Sequence, residues 1–417
     1  HSLHGIVLIM HIAVFTDYYL PTLGGVQTSI KAQKDTLEKA GHKVTIFCPL
    51  HQTSTDPSIV RLPTSTRFKP DNYPFAWSPD AVIDASISHI RELGDVDIIH
   101  IHSEMAAAIG GIHAGQSLRI PIVQTMHGRV DVYTKNVLPL PSVSTFILVS
   151  LHRRSIPLAD IPLTPAHYTR TRLARRMWRL LVNQANQAQH VIVPSHHFAR
   201  KLHDQGVIKP LTVLSNGLEP AVLDQLPPSA PRTRSAGEPL RVMWCARVSQ
   251  EKRPLAFLEA IRQLPPTVIA DMYGTGPALS SVRRFIRRHG LEQRVHLHGS
   301  VPQNAVLDAM RNHHVFVSTS FDFDNQPMVF LEAIAAGTPI LYCDPDLSET
   351  VPDGGGILTT SPDAHDIAAT LRNILNHPDC TLEMSEHMIA ARGTTMQHQY
   401  TDQLLTVYSE AIKALRN

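Results

Sequence analysis

Apolar and polar positions alternate with two different periods along nearly the whole chain, and these periods predict its secondary structure. Short runs of apolar, β-branched residues predict strands, and helical spacing follows several of them, for example at residues 26–39 and 106–117. In the first half, the predicted strands are residues 11–16, 43–48, 97–102, 121–125 and 190–194. The second half repeats the pattern, with predicted strands at residues 240–245, 267–273, 295–298, 315–318 and 339–342.

These strand candidates are continuous apolar runs. Such runs are typical of strands that are buried on both faces, and helical crossovers between them imply that neighbouring strands are parallel. The sequence therefore predicts the α/β fold class, with two doubly wound, Rossmann-like domains.

A polar, proline-rich segment separates the two halves. Residues 219–239 hold five prolines without any periodicity, which is typical of a linker. We therefore predict an N-terminal domain at 1–218, a linker that could act as a hinge, and a C-terminal domain at 240–395. Residues 1–9 precede Met10 and are expected to be an extension.

Composition narrows the possible partners and the compartment. The net charge of the 417-residue chain is only +2, so the protein as a whole does not have the basic character of a nucleic-acid-binding protein. No stretch reaches the ~20 apolar residues that a membrane-spanning helix needs. The cysteines are far apart and form no CxxC pair, which argues against a zinc site or a disulfide framework and favours the reducing cytoplasm.

One segment departs from the alternating pattern. Residues 151–179 carry seven arginines against a single acid, Asp160, with apolar and aromatic residues between them. A cationic, aromatic-bearing stretch suits an anionic membrane surface, and a solvated basic face near an anionic substrate is the alternative. The residues that we assign to membrane or acceptor contact are Arg170, Arg172, Arg175, Arg176, Trp178 and Arg179.

A glycine pair follows the first predicted strand and opens a helix. Gly24 and Gly25 let the backbone approach a ligand closely, and the helix N-terminus offers free N–H groups to an anion such as a phosphate. The pair matches neither the GxGxxG dinucleotide fingerprint nor a Walker loop. A purely structural role for these glycines remains open at this point.

Two loops of the second half carry candidate phosphate ligands. Arg247 ends the first strand of this half and Lys252 lies just before the next helix, so both cations could hold a diphosphate at the carboxyl end of a strand. Gly274 and Gly276 end the next strand and would permit a nucleotide to approach closely. A solvated basic loop is the alternative interpretation.

The segment from residue 318 to 339 is the most informative. A strand ends there, a loop with carboxylates follows, and a helix begins near Pro327, where backbone N–H groups could bind a sugar hydroxyl or a phosphate oxygen. Glu332 lies far enough into that helix to reach a ribose. The alternative assigns Asp324 to helix capping and Glu332 to the surface.

The ordered set of motifs resembles the retaining glycosyltransferases of family 4, which have two Rossmann domains facing a central cleft in the GT-B architecture. The likeness is closest to bacterial diacylglycerol glucosyltransferases and related membrane-lipid glycosyltransferases. It runs nearly from end to end, and its motifs include Phe15-Thr16-Asp17-Tyr18-Tyr19-Leu20-Pro21 with the Gly24-Gly25 loop, Asp97-Ile98-Ile99-His100-Ile101-His102, Thr125-Met126-His127-Gly128, Val193-Pro194-Ser195 and Ser215-Asn216-Gly217.

This resemblance implies roles for individual residues. Arg247 and Lys252 would hold the diphosphate of the donor and stabilise it as the leaving group, and His127 would hydrogen-bond the donor sugar. Gly25 would face the donor phosphates or the acceptor. Glu332 would bind the ribose hydroxyls. Backbone groups of Gln326, Pro327 and Met328 would contact the sugar ring.

The resemblance also implies an N-terminal domain that binds the acceptor, a C-terminal domain that binds the nucleotide sugar, and a final helix at 396–417 that packs back on the first domain. This chain departs from the family pattern at Asp324, where the first of two glutamates belongs. Asp322-Phe323-Asp324 mimics the metal-binding DxD of the other glycosyltransferase fold. We interpret that match as accidental and predict no metal site and no cofactor beyond the nucleotide sugar.

The expected function is transfer of a hexose, with retention, from a nucleotide sugar to a membrane lipid such as diacylglycerol. UDP-glucose is the favoured donor and GDP-mannose stays open. The expected location is the inner face of the plasma membrane, where the enzyme would be peripheral. The alternatives are a soluble or cell-wall precursor acceptor, a GT-B nucleotide-sugar epimerase and a non-catalytic sugar-binding module. The oligomeric state is left open.

Overall fold

The computed structural model describes residues 9–20, 25–50, 52–65, 67, 76, 78–395 and 397–417, the last without the side chains of 397–399. The chain divides into two units. Unit 1 is formed by the described residues within His1–Ser215 and Gln397–Asn417, and unit 2 by those within Asn216–Met396.

Unit 1 is built on a parallel sheet of seven strands in the order β3-β2-β1-β4-β5-β6-β7. The strands are β1 (His11–Phe15), β2 (Lys43–Pro49), β3 (Ile59–Leu62), β4 (Ile98–Ile101), β5 (Ile122–Thr125), β6 (His190–Val193) and β7 (Leu211–Val213). The helices that precede unit 2 are α1 (Gly25–Lys39), α2 (Pro79–Leu93), α3 (Ala106–Leu118), α4 (Val130–Val137), α5 (Pro141–Ser155), α6 (Arg172–Ala185) and α7 (His196–Asp204).

Unit 2 is built on a parallel sheet of six strands in the order β10-β9-β8-β11-β12-β13. The strands are β8 (Leu240–Cys245), β9 (Val268–Tyr273), β10 (Val295–Gly299), β11 (Val315–Ser318), β12 (Ile340–Tyr342) and β13 (Gly356–Leu358). The helices are α8 (Pro220–Gln225), α9 (Pro254–Arg262), α10 (Leu279–Arg288), α11 (Gln303–Arg311), α12 (Met328–Ala336), α13 (Ala364–Asn376) and α14 (Asp379–Ala390).

The final helix, α15 (Gln397–Arg416), lies in unit 1. It contacts α1, β5 and β6, and Leu404, Val407 and Tyr408 join the apolar cluster beneath β1 and β2. The hydroxyl of Tyr408 also lies 2.6 Å from Nδ1 of His100 on β4. The last residues of the chain therefore complete the core of the first unit.

The predicted fold class is confirmed, since both sheets are parallel and helices connect their strands. The central strands are buried on both faces and mostly apolar; every residue of β1 and of β4 is buried, including His11 and His100. Three short strands were not predicted, namely β3, β7 and β13. All of them lie at a sheet edge and are largely half-buried, so they lack the continuous apolar run that marks the central strands.

The proline-rich stretch 219–239 lies within unit 2 and is mostly exposed, but Leu223, Arg232 and Arg234 are buried and anchor it. Its first residues form α8, and the guanidinium of Arg232 donates to the backbone oxygens of Ala336 at 2.6 Å and His313 at 3.1 Å. Burial lowers the pKa of Arg232 to about 10. Carbonyl groups at the ends of elements satisfy this buried arginine, so the stretch is attached to unit 2 at Arg232 while most of it faces solvent. The hinge role stays a prediction.

Candidate active site

Each sheet has one point at which the strand order reverses. In unit 1 it lies between β1 and β4, and in unit 2 it lies between β8 and β11. Loops that leave the carboxyl ends of parallel strands diverge at such a point and form a crevice, which is where open α/β sheets bind ligands. The candidate residues lie after these strands and their neighbours.

The switch point of unit 2 holds an ion pair. Lys252 follows β8 and Asp324 follows β11, and Nζ of Lys252 lies 2.6 Å from Oδ1 and 2.7 Å from Oδ2 of Asp324. Both side chains are mostly buried, at 18% and 13% exposure, and both line a small pocket with Cys245 and Pro327. The lysine is therefore held at the strand ends by a carboxylate that a more strongly charged ligand could replace.

A threonine side chain holds the backbone of Lys252 in place. Oγ1 of Thr319, just after β11, donates to the carbonyl oxygen of Lys252 at 2.8 Å and accepts from Nε1 of Trp244 at 3.0 Å. Arg253 has a positive φ of 53°, and its guanidinium donates to the carbonyl oxygens of Thr319 and Pro362. The loop that carries Lys252 is therefore held by hydrogen bonds from the strand beside it.

Arg247 is the second predicted cation of unit 2. It lies two residues after β8 and is partly exposed, on the loop that leads to Lys252. Its position after the central strand agrees with a diphosphate ligand, and its role stays a prediction.

Close contacts with the backbone explain why glycine is present at two positions after β9. Gly274 has a φ of 124°, and a Cβ atom there would lie 1.9 Å from the carbonyl oxygen of Ala246. A Cβ atom at Gly276 would lie 2.4 Å from the carbonyl oxygen of Val248. The glycines thus let the loops after β8 and β9 pass close to each other, and their predicted contact with a nucleotide stays a prediction.

Helix α12 begins where the sequence predicted it. Pro327 precedes its first residue, Met328, so the amide groups of the first turn have no partner within the helix. Oε1 of Gln326 accepts a hydrogen bond from the amide of Asn216 at 2.6 Å. This arrangement presents a helix N-terminus beside the Lys252–Asp324 pair.

Glu332 lies on α12, and the interior of unit 2 largely encloses it. Burial raises the pKa of its carboxyl group to about 7, and a hydrogen bond of 2.8 Å from Nε2 of Gln303 lowers it in part. Gln303 begins helix α11 and did not figure in the sequence prediction. A carboxylate held in this way could accept hydrogen bonds from two neighbouring hydroxyl groups of a ribose.

The two acids of the DxD-like stretch have different partners. Asp322 has a positive φ of 50° and its amide donates to Oδ2 of Asp344 at 2.8 Å, whereas Asp324 pairs with Lys252. Among the residues that the structure describes, no group of three or more metal-ligating side chains is found. The absence of a metal from the reaction stays a prediction.

Three histidines form a chain beside the switch point of unit 1. Nδ1 of His102 lies 2.9 Å from Nε2 of His127, and the ring of His102 lies 4.0 Å from that of His100. His100 also bonds Oγ1 of Thr125 at 2.7 Å and the hydroxyl of Tyr408. His127, the predicted sugar ligand, is thus the outer member of a chain that reaches into the core.

Burial keeps these imidazoles neutral. It lowers the pKa of His127 to about 4 and that of His100 to about 3, and it lowers the pKa of His102 well below its usual value. Nε2 of His102 is buried without a hydrogen-bond partner. A neutral His127 can donate or accept one hydrogen bond per ring nitrogen without bringing charge to a ligand.

Asp17 and Glu104 are acids of this switch point that sequence reasoning left without a role. The carboxylate of Asp17 accepts hydrogen bonds from Oγ of Ser103 at 2.7 Å and from the amides of Met105 and Ala107, so it caps the start of α3. Burial raises the pKa of Asp17, and burial with the charge of Asp17 raises that of Glu104 to about 8.

Gly25 is the first residue of α1 and is exposed. The helix start predicted after the first strand is therefore present in unit 1, and its binding of a ligand stays a prediction. Gly24, its predicted companion, lies outside the residues that the structure describes.

The predicted membrane contacts lie on and before α6. Arg170 and Arg172 are exposed, whereas Arg175, Arg176 and Arg179 are partly buried and donate to carbonyl oxygens of unit 1. These donations use part of the hydrogen-bonding capacity of the last three arginines within the protein. A contact of any of the five with lipid stays a prediction.

Trp178 is a correction to the sequence prediction. Its side chain is fully buried and packs against Tyr168 and Phe198, and the guanidinium of Arg129 lies 5.7 Å from its ring. The apolar face of α6 turns this residue into the core, so it is not available to a lipid surface. No helix of the described chain combines the length and the apolar character that crossing a bilayer requires.

Comparisons with known proteins agree with this geometry. The family model described as Glycosyltransferase Family 4 matches residues 23–222, and the model described as Glycosyl transferases group 1 matches residues 229–392. This chain belongs to the GT-B glycosyltransferases. The glycosyltransferase is similar to the alpha-monoglucosyldiacylglycerol synthase of Streptococcus pneumoniae (strain ATCC BAA-255 / R6), with 25% identity over 92% of this chain and 81% of the relative. It is also similar to the synthase of that name from Acholeplasma laidlawii, with 21% identity over 97% and 98% of the two chains.

Solved structures support the fold of this glycosyltransferase. A sucrose-phosphate synthase from Thermosynechococcus elongatus has a TM-score of 0.72 at 16% identity, and the match covers 97% of this chain and 100% of that one. An Anabaena protein in complex with UDP and glucose has a TM-score of 0.64 at 16% identity, with 96% and 100% covered. At this identity the likeness concerns the architecture alone.

Proposed function

We propose that this glycosyltransferase moves a glucosyl group from UDP-glucose, with retention of the anomeric configuration, to a diacylglycerol-type membrane lipid. The observation that carries the donor half is the Lys252–Asp324 pair at the switch point of unit 2, beside the first turn of α12. The acceptor half is supported by the names of the two relatives, which each match most of this chain.

In this proposal, the diphosphate enters the pocket beside Lys252 and displaces Asp324 from its ammonium group. Negative charge accumulates on the leaving diphosphate as the glycosidic bond breaks, and preorganised cations stabilise that charge. Lys252 and Arg247 supply those cations. The freed carboxylate of Asp324 is then available to a sugar hydroxyl, as are the amide groups at the start of α12.

His127 would hydrogen-bond the donor sugar as a neutral imidazole. A positive charge beside the anomeric carbon would oppose its oxocarbenium character, so the low pKa of His127 suits that position. Glu332 would bind the ribose hydroxyls. The acceptor hydroxyl would attack from the face that the diphosphate leaves, which is the usual account for retaining GT-B enzymes and requires no protein nucleophile.

The test is an assay of the purified protein with a donor panel of UDP-glucose, UDP-galactose, UDP-N-acetylglucosamine and GDP-mannose. The acceptor is dioleoylglycerol in mixed micelles that contain phosphatidylglycerol. We expect a glycolipid product from UDP-glucose, and the coupling constant of its anomeric proton should identify the α-anomer. A β-anomer would contradict retention, and a product from another donor would contradict the choice of sugar.

A parallel reaction omits the acceptor and follows the donor by NMR. Interconversion of UDP-N-acetylhexosamines without an acceptor would favour the epimerase alternative. Transfer to a water-soluble acceptor with none to dioleoylglycerol would contradict the lipid half of the proposal and leave the donor half standing. A peripheral location on the inner face of the plasma membrane is part of the proposal, and fractionation of cells would test it.

A further inference from the structure

Helix α5 of unit 1 carries apolar side chains on its outward face. Its inward face is formed by Thr145 and His152, which are buried. On the outward side, the exposed fractions are 76% for Leu140, which precedes the helix, 55% for Val143, 61% for Phe146 and 43% for Ile147. A surface helix of a globular protein ordinarily presents polar residues to water, so this arrangement needs a cause.

The clustering sets these residues apart from other exposed apolar side chains. Isolated apolar residues on a surface are normal and need no explanation. Ile208 is such a case in unit 1, since it is 82% exposed and lies far along the chain from the others. On α5, by contrast, the apolar residues follow one another at helical spacing between residues 140 and 147.

The same stripe ends in positive charge. Arg153 and Arg154 lie in the last turn of α5, seven or eight residues after Phe146, and both are exposed. At 1.5 Å per residue, they lie about 11 Å along the helix axis from that ring. The helix therefore presents an apolar patch at its beginning and two cations at its end.

Helix α6 adds a further cation beside the ring. The guanidinium of Arg176 lies 5.5 Å from the centre of the Phe146 ring. It donates to the carbonyl oxygen of Ser142 at 2.8 Å and to Oγ1 of Thr145 at 2.9 Å, which fixes its position against α5. Asp160 is the only acidic residue between positions 138 and 179, so this stretch of the chain is predominantly positive.

We propose that this surface inserts into the interface of an anionic lipid bilayer. We call it the α5 surface and define it by Leu140, Val143, Phe146, Ile147, Arg153, Arg154 and Arg176. The occupant follows from charge complementarity: apolar side chains enter the boundary between headgroups and acyl chains, and arginines at the rim pair with lipid phosphates. The inference rests on the proposed function in one respect, since transfer to a membrane lipid would require the enzyme to bind the membrane.

The α5 surface also changes which helix is expected to make the main contact with the membrane. The sequence pattern placed it on the arginines of α6 and on Trp178, which is buried. In the structure, the apolar side chains that could enter lipid belong to α5, and Arg176 connects the two helices. We therefore expect vesicle binding to depend both on the insertion of apolar side chains and on the attraction between arginines and anionic lipids.

The test is flotation of the full-length protein with vesicles of phosphatidylcholine alone and of phosphatidylcholine with phosphatidylglycerol. The variant Val143→Ser with Phe146→Ser should lower partitioning into the mixed vesicles at least about tenfold, because two exposed apolar groups are removed. Arg153→Gln with Arg154→Gln should lower it about twenty-five-fold at low salt and much less at high salt, since each basic residue contributes about fivefold.

Ile208→Ser is the matched control, since it removes an even more exposed apolar side chain from unit 1 outside the α5 surface. We expect it to bind vesicles as the wild type does. Wild-type binding by both α5 variants would overturn the proposal, and so would equal loss in the Ile208→Ser control. A wild-type dimer that becomes monomeric in the Phe146→Ser variant without vesicles would overturn it in favour of a protein contact.

A second measurement separates this inference from the proposed function. Transfer from UDP-glucose to a short-chain diacylglycerol below its critical micelle concentration needs no membrane. The α5 variants should keep wild-type rates in that assay and lose activity only on vesicles. If no lipid is glycosylated under any condition but flotation depends on α5, then the proposed function fails and the α5 surface stands.

Discussion

The two units use the same sheet topology and place opposite kinds of chemistry at the switch point. In unit 2, the strand ends hold a compensated ion pair, Lys252 with Asp324, at 2.6 Å. In unit 1, they hold a chain of imidazoles that burial keeps neutral, which ends at His127. One site thus offers charge to a ligand and the other offers hydrogen bonds without charge.

The comparison shows that two sheets with the same topology can present different chemistry. The reversal of strand order gives the position of a crevice, and the side chains beside it decide which kind of ligand it suits. Under the proposed function, a diphosphate carries negative charge and calls for cations, which Lys252 and Arg247 of unit 2 would supply. A sugar hydroxyl calls for neutral donors and acceptors, which the imidazole of His127 would supply. The backbone elements that position them are alike, since in both units a central strand lies beside a reversal of strand order.

The largest expected effect is at Lys252. Lys252→Ala should lower kcat on the order of a hundredfold, because it removes a cation that meets the charge of the leaving diphosphate. Steady-state kinetics with saturating donor would measure it. Arg262→Ala is the control, since it breaks an exposed ion pair with Glu259 in the same unit and should leave kcat unchanged. Wild-type turnover in Lys252→Ala would contradict the assignment of Lys252 to the leaving diphosphate.

The next largest effect concerns the neutral histidines of unit 1, and it is measured as a change in the free energy of unfolding. The pKa of His100 is about 3 in the fold and about 6.5 in an unfolded chain, so the unfolded state binds the proton preferentially below pH 6.5. The folded state is therefore favoured fully above pH 6.5 and loses stability as the pH falls. Between pH 7 and 5 this loss is about 2 kcal/mol.

His100→Gln should remove that part of the pH dependence. Urea unfolding at pH 7 and pH 5, followed by circular dichroism, would show a smaller decrease in the free energy of unfolding for the variant than for the wild type. His203→Gln is the matched control, because His203 is an exposed histidine of the same unit. An identical pH dependence in wild type and His100→Gln would mean that His100 is not held neutral.

A smaller effect is expected at Glu332. Its pKa is about 7, so the carboxylate form predominates at pH 8 and the acid form at pH 6. If the carboxylate accepts hydrogen bonds from the ribose, then KM for the donor should rise toward tenfold between pH 8 and pH 6. Glu332→Gln should raise KM at pH 8 to a similar extent and make it independent of pH.

Gln303→Leu sharpens this prediction. The hydrogen bond from Gln303 lowers the pKa of Glu332, so its loss should move the midpoint of the KM profile to higher pH. A profile that is unchanged in Glu332→Gln would contradict the assignment of this carboxylate to the donor.

The smallest effect is expected from Asp324→Glu, which restores the residue that the family pattern has at this position. The added methylene keeps the charge that faces Lys252, so we expect kcat and KM within about twofold of wild type. A donor panel would show whether sugar preference changes at the same time. A loss of activity comparable to that of Lys252→Ala would mean that the geometry of the pair, and not its charge, decides the function.

The sequence allowed the fold class to be predicted because the central strands are buried on both faces and appear as short, mostly apolar runs. The edge strands β3, β7 and β13 lacked that signal, since their residues are half-buried. The loops after β8 and β11 could likewise be predicted as neighbours, because parallel strands end at one edge of a sheet.

The partners of the candidate residues could not be predicted. Gln303 reaches Glu332 from a different helix, and His102 reaches His127 from a different strand, so no local spacing records either contact. Periodicity also identifies the apolar stripe of a helix without saying whether it faces the core. For that reason Trp178 was predicted outside and is buried, whereas Phe146 on α5 went unnoticed and is exposed.

The return of α15 to unit 1 has a consequence for synthesis. Tyr408 reaches His100 across 308 residues of sequence, so the first unit to leave the ribosome is the last to be completed. At 5–20 residues per second, the roughly 180 residues of unit 2 take on the order of ten to forty seconds to translate. During that time the apolar cluster of unit 1 lacks the side chains of Leu404, Val407 and Tyr408. The nascent first unit therefore exposes apolar surface that is buried only when α15 has been synthesised.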